Sequence, residues 1–276
     1  MKIQKAPATK VSQIIREHCL LQNKRRSKAF GQNFLTDTSI LRKIVDAAGE
    51  ISGNVITEIG SGPGGLTYEI LNRNPIKLIA IEKDINCINA LQTEDVTFIH
   101  ADAISYDFSA HYTRYGPTKV IANLPYNASV AILLNLFKSL HGIVCLTLMF
   151  QKEVADRILA HPGTKSFGRL SVVSQYLTTV NRIMTLPPGA FHPAPKVHST
   201  VIRMIPKEKI DYVLSQKLSI LTKAVFQTKR KIIRNGLLNL WSREYVVDIL
   251  NRLNIEEEAR PETLSVAQFV ELAKAV

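Results

Sequence analysis

Asn54-Val55-Ile56-Thr57-Glu58-Ile59-Gly60-Ser61-Gly62-Pro63-Gly64-Gly65 carries the pattern that decides the fold. A short apolar, β-branched run ends in a glycine-rich loop, and apolar residues at spacings of three and four follow over 66–72. That is a strand, a tight turn and a helix. The pattern repeats downstream. Residues 77–82, 96–102, 119–125 and 142–150 read as strands, and 85–91 and 129–140 as helices. Repeated strand–helix–strand units imply right-handed crossovers and a parallel, doubly wound sheet. Two more strands, at 178–186 and 197–205, flank the proline-rich loop 187–195. So short a hop suits antiparallel pairing at a sheet edge. After Pro206 only helices are expected, at 211–228, 229–240, 243–253 and 266–275. The predicted partition is a basic arm (1–27), an α/β domain (28–206) and a small all-α domain (207–276).

The bulk properties bound the function. The chain has 276 residues, 46% of them hydrophobic, enough for one large domain or two modest ones. Lys and Arg total 35 against 23 Asp and Glu, a net charge of +12. Such a balance favours a polyanionic partner. The longest apolar stretch, 143–150, is too short to span a bilayer, so no membrane role is expected. Cys19, Cys87 and Cys145 are scattered without paired spacing, which suits reduced thiols in a cytoplasmic protein and offers no metal site. Residues 1–27 carry Lys2, Lys5, Lys10, Arg16, Lys24, Arg25 and Arg26 against the single acid Glu17. This has the charge of a transit peptide but neither its serine content nor a cleavage signal, and an arm for RNA phosphates is the better reading.

The glycine loop opens a helix, where the backbone must turn tightly and admit a ligand. Gly60, Gly62 and Gly65 also fit a dinucleotide fingerprint, so the loop by itself leaves the ligand open. Glu82 follows at about the 20-residue spacing at which a strand-end acid accepts from ribose hydroxyls. Asp102 ends the next predicted strand, placed to accept from an adenine amino group. Together these describe a nucleoside ligand at the carboxyl edge of the sheet.

Asn123-Leu124-Pro125-Tyr126 ends the fourth predicted strand at that same edge. Its chemistry suits an exocyclic amine whose lone pair is delocalised into a ring. The Asn123 side-chain oxygen and the Leu124 carbonyl can each accept one N–H bond, which gives the nitrogen sp3 character and turns its lone pair toward a methyl donor. Pro125 fixes the turn and restricts Leu124. Tyr126 offers a ring for stacking an extruded base. Phe191, in the proline-rich loop, is a candidate for the other face of that base or, equally, a hydrophobic plug.

With these residues assembled, the chain closely resembles the ribosomal small-subunit RNA adenine dimethyltransferases, class I (Rossmann-like) methyltransferases related to the erythromycin-resistance methylases. The carriers are Lys28-Ala29-Phe30-Gly31-Gln32-Asn33-Phe34-Leu35, the Gly60 loop, the 123–126 turn, Phe191-His192-Pro193-Ala194-Pro195-Lys196-Val197 and Phe226-Gln227-Thr228-Lys229-Arg230-Lys231. The resemblance implies S-adenosyl-L-methionine as cofactor, contacted by Asn33, Leu35, Gly60 and Gly62. Glu82 would hold its ribose, Asp102 its adenine, and Asn123 would lie beside both methyl donor and target amine. It further implies four methyl transfers, two to each of two adjacent adenosines in a hairpin near the 3′ end of small-subunit rRNA. The partner would be that rRNA or the immature small ribosomal subunit, met by a monomer. The loop departs from the family pattern at Ser61 and Pro63.

Between Lys217 and Arg243 stand Lys223, Lys229, Arg230, Lys231 and Arg234, with no acid among them. A solvated helix face normally mixes signs, so this run is read as an RNA-binding face, with Lys229, Arg230, Lys231 and Arg234 as its candidates. A nicotinamide-dependent oxidoreductase would account for the glycine loop and Glu82, but not for the 123–126 turn or the basic tail. A noncatalytic RNA-binding assembly factor would not need Asn123 and both acids.

Overall fold

The computed structural model describes residues 33–91, 93–227 and 232–276. The basic arm, the motif residues 28–32 and Lys229, Arg230 and Lys231 lie outside them. The described chain opens with β1 (Phe34–Leu35) and α1 (Thr38–Ala47). The Asp37 carboxylate caps α1 by accepting from the amides of Ser39 and Ile40. There follow β2 (Val55–Ile59), α2 (Gly65–Leu71), β3 (Lys77–Glu82), α3 (Ile85–Leu91), β4 (Val96–His100), α4 (Phe108–Tyr115), β5 (Thr118–Asn123) and α5 (Ser129–Leu136). Beyond a 3-10 stretch come β6 (Ile143–Gln151), α6 (Lys152–Leu159), α7 (Arg169–Leu177), β7 (Thr178–Leu186), β8 (Phe191–His192) and β9 (Ser199–Pro206). Helices α8 (Tyr212–Phe226), α9 (Ile233–Leu237), α10 (Arg243–Arg252) and α11 (Val266–Lys274) complete it.

Seven strands form one sheet in the order β4-β3-β2-β5-β6-β9-β7. The pairs β4–β3, β3–β2, β2–β5 and β5–β6 are parallel, and β9 runs antiparallel to β6 with Gln151 opposite Ser199. This is the mostly parallel sheet with an antiparallel edge that the repeat pattern predicts. Burial explains it: β3 is buried at every position after Lys77, as a strand covered on both faces must be. The 123–126 turn comes to lie next to the glycine loop because β2 and β5 are neighbours, although β3 and β4 intervene in sequence. That reversal of strand order is where open α/β sheets form a ligand crevice.

Several predicted boundaries move. The strand expected at 96–102 stops at His100, so Asp102 lies in the following loop. The helix expected at 129–140 ends at Leu136, and Ser139 takes a non-helical conformation (φ −137°, ψ 39°). Helices α1, α4, α6 and α7 are not among the expected elements. Aromatic residues in α4 and β-branched ones in α7 mask their helical period, and tertiary packing overrides these weak propensities.

The chain divides into two compact units. One gathers the described residues up to Ala155 with Asn181–Pro206; the other joins Asp156–Val180 to Lys207–Val276. The predicted continuous segment 28–206 is therefore interrupted. Phe167 and Val172 are buried in one core with Leu218, Leu221, Val225, Ile233, Leu237 and Phe269, which draws the α7 region to the helices after Pro206. Among the described residues no helix is long and apolar enough to cross a membrane.

Candidate active site

A cavity of about 200 Å³ opens at the carboxyl edge of β2, β3 and β5. Its wall includes Asn33, Leu35, Gly60, Gly62, Glu82, Asp102, Asn123, Leu124, Pro125 and Tyr126. These ten sequence candidates thus meet in one place. Phe191 does not join them. It is only 4% exposed and packs in the core with Leu35, Ala190 and Leu186. β8 pairs with β1, Leu35 opposite Phe191, and this pairing turns the ring into that core, as a hydrophobic plug would be. Arg234 lies in the helical unit, half-buried and ion-paired to Glu257 at 2.8 Å.

The glycine loop is shaped by its neighbours. Gly62 has φ +50°, and a Cβ there would come within 3.0 Å of the Phe34 ring. Gly60 has φ +76°, and its amide donates to the Ile81 carbonyl at 2.9 Å. Both positions demand glycine, the first for space and both for the left-handed backbone. Glu82, 5% exposed, braces the loop: Oε2 accepts from the Gly62 amide at 3.0 Å and Oε1 from the Asp84 amide at 2.8 Å. An ionised carboxylate has about four acceptor positions, so acceptor capacity remains for ligand hydroxyls. Asp102 Oδ1 accepts from the Ile104 amide at 3.0 Å and Oδ2 from Lys83 Nζ at 2.7 Å. The Lys83 hydrogen bond is the chief reason its carboxyl titrates below the ordinary range.

At the other end, Asn123 Nδ2 donates to the Asn33 carbonyl at 3.2 Å. With the amide nitrogen so engaged, Oδ1 is the acceptor left to the cavity. Around it the turn is rigid. The Ala128 amide donates to the Pro125 carbonyl at 3.0 Å, and Ser129 Oγ donates to the Tyr126 carbonyl at 3.1 Å. The Tyr126 phenol is hydrogen-bonded to Ser199 Oγ, and burial raises its pKa, so it stays neutral.

Two wall residues carry a demand that sequence reading does not assign. Glu58 Oε1 and Ser61 Oγ are buried without a hydrogen-bond partner among the described residues. Glu58 Oε2 accepts from Thr67 Oγ1 at 2.6 Å, and desolvation raises the Glu58 pKa to about 8. A buried polar atom without a partner is costly, and both atoms belong to residues of the cavity wall. A group that can both accept and donate is required here, which suits the amino-acid end of a cofactor such as S-adenosylmethionine, while Glu82 and Asp102 suit its nucleoside. The signal for Glu58 is present in the sequence as the one charged residue of a short β-branched strand.

A family model described as ribosomal RNA adenine dimethylase matches residues 22–276. The chain belongs to this family. Among its relatives, the ribosomal RNA small subunit methyltransferase A of Wolbachia pipientis wMel is 41% identical over 256 residues, covering 90% of this chain and 88% of the relative. The protein of the same name from Agrobacterium fabrum is 38% identical over 258 residues, covering 90% of this chain and 92% of the relative. The crystal structure of a dimethyladenosine transferase from Plasmodium falciparum matches with a TM-score of 0.73 at 27% identity, covering 87% of this chain and 95% of that one. Membership makes the chain an S-adenosylmethionine-dependent rRNA adenine dimethyltransferase, and the cavity residues fit that cofactor.

Proposed function

We propose that this rRNA adenine dimethyltransferase acts on small-subunit rRNA, taking two adjacent adenosines of a hairpin near its 3′ end, and holds each target base at Asn123 and Tyr126. The carrying observation is the Asn123 amide. Tied through Nδ2 to Asn33, it presents Oδ1 in the same cavity as Glu82 and Asp102. In this reading Oδ1 and the Leu124 carbonyl accept the two N6–H bonds of adenine. The nitrogen gains sp3 character, and Tyr126 stacks on the ring. Glu82 and Asp102 hold the nucleoside of the cofactor, which supplies a sulfonium-activated methyl group when bound. Asn33, Leu35, Gly60 and Gly62 shape its pocket. What the chain contributes is positioning and desolvation, which suffice for direct transfer to a prepared nucleophile.

Names and matched lengths of the curated relatives support the small-subunit substrate. The basic tail supports a docking role for Lys229, Arg230 and Lys231 on RNA. A cytoplasmic monomer acting on the immature small ribosomal subunit is the corresponding setting. The test is tritiated methyl transfer to undermethylated small subunits, to naked small-subunit rRNA and to large subunits, followed by mapping of the modified base. Label on adjacent adenosines of the small-subunit RNA is expected. Label confined to large subunits would reassign the substrate. Asn123→Ala is expected to lower the transfer rate at least about a hundredfold, by analogy with loss of one preorganised polar contact at a reacting centre. A variant that methylates normally would overturn the role given to Asn123.

A further inference from the structure

We propose that Ser199 is a positioning residue for methyl transfer, holding the Tyr126 ring at the attitude needed to stack on the target base. The inference rests on the reading of Tyr126 as the stacking ring. Ser199 belongs to β9, the strand that runs antiparallel to β6, so its first residue comes to the edge where the parallel strands end. The proline-rich loop therefore delivers a hydroxyl to the active-site edge from a part of the chain remote from the 123–126 turn.

Ser199 is fully buried, and its Oγ meets the Tyr126 phenol. Its backbone is fixed on both sides. Ser199 pairs with Gln151 of β6, and the Lys152 amide donates to the His198 carbonyl at 2.8 Å. Tyr126 is anchored at its other end by Ser129. A tyrosine ring has two soft torsions. Holding the carbonyl fixes neither, whereas a hydrogen bond at the phenol end fixes χ1 and so where the ring points. The phenol oxygen lies on the χ2 axis, and the ring plane is held through the in-plane preference of that hydrogen bond. Half-buried, the ring keeps an accessible part on the cavity wall while its hydroxyl is engaged elsewhere. The hydroxyl is thus an anchor, and the face is the working part.

The bland alternative is two polar groups that satisfy each other with no bearing on the reaction. It predicts a change in stability alone. The experiment compares Ser199→Ala, Tyr126→Phe, the double variant and Ser199→Thr. The readouts are kcat and KM with undermethylated small subunits, calorimetric S-adenosylmethionine affinity, and thermal melting. Ser199→Ala and Tyr126→Phe are each expected to lower kcat about tenfold, the scale of one missing hydrogen bond. Cofactor affinity should be unchanged. The double variant should fall no further than either single one, because both remove the same tether. Ser199→Thr, which keeps the hydroxyl, should recover most of the rate. Wild-type kcat in Ser199→Ala, or fully additive losses in the double variant, overturns the proposal. Tyr126→Ala separates the two layers: if it retains the wild-type rate, the stacking reading itself fails. If Tyr126→Ala is inactive while Ser199→Ala is normal, stacking survives and only the tether is refuted.

Discussion

A carboxyl sealed inside a β-branched strand answers to pH differently from one in water, and Glu58 is such a group. Burial raises its pKa from 4.5 to about 8, opposed in part by the Thr67 hydrogen bond and reinforced by the charge of Glu82. Between those two values the folded chain retains a proton that the unfolded chain has released. Rising pH then favours unfolding, with the loss beginning near pH 4.5 and complete near pH 8, at a slope of up to about 1.4 kcal/mol per pH unit. Glu58→Gln keeps an acceptor for Thr67 and removes the titration. It is expected to flatten the dependence of the urea midpoint on pH across that window. A variant whose slope parallels that of the parent would show that Glu58 does not titrate there. Glu82 serves the ligand side of the site, where both of its oxygens accept backbone amides from the ligand-binding loop and the turn after β3. Glu82→Gln cannot accept at both atoms, so it gives up one of these bonds as well as charge-assisted acceptance from a ribose. Calorimetric titration should show S-adenosylmethionine binding weakened roughly ten- to a hundredfold. Unchanged affinity would remove Glu82 from the cofactor pocket.

At the scale of elements, helix α9 approaches α8 so closely that only glycine fits between them. A Cβ on Gly236 would lie 2.5 Å from the Val225 Cα, a backbone atom that cannot swing away. Gly236→Ala is therefore expected to destabilise the helical unit by about 1–3 kcal/mol, read as a lower urea midpoint with the S-adenosylmethionine affinity of the other unit kept. An unchanged midpoint would mean that the helices part at no cost. The sequence shows Gly236 but not this close approach, and the contrast marks what was legible. The parallel strands were readable because such a sheet buries them almost continuously, and Lys77–Glu82 matches its predicted range to the residue. The edge strand Thr178–Leu186 also matches, although most of it is not buried, because the proline-rich loop marks its end. The cavity was readable because three predicted strand ends and a glycine loop carry polar residues where apolar runs stop. Pairings between distant segments were not. Asn33 holding Asn123, Ser199 holding Tyr126 and Glu257 neutralising Arg234 join residues that no local window brings together. Phe191 was ambiguous for the same reason, since an aromatic residue in a loop says nothing about which way pairing of β1 with β8 will turn it.

At the scale of the molecule, a net charge of +12 calls for anionic partners inside or outside the chain, and the helical unit divides its share unevenly. Arg234 is matched by Glu257, so its guanidinium is committed to the fold. Arg234→Ala is expected to lower stability more than it lowers RNA affinity. Lys229, Arg230 and Lys231 stand in a stretch without acids from Lys217 to Arg243 and are the stronger candidates for binding phosphates. Each phosphate that a cation neutralises on RNA releases condensed counterions, so removing the cation shows in the salt dependence as well as in affinity. Replacing the three by alanine should weaken binding of small-subunit rRNA and reduce the slope of log K against log salt by about 0.7–0.9 for each phosphate no longer neutralised. Free S-adenosylmethionine should bind as before, because every residue of the cofactor cavity lies in the other unit. Weaker RNA binding with an unaltered slope would point to a folding defect in the helical unit rather than to a smaller phosphate footprint. Unaltered affinity at physiological salt would move that footprint away from this stretch. The Arg234→Ala arm supplies the internal control, since it removes a cation from the same region but one already paired within the protein.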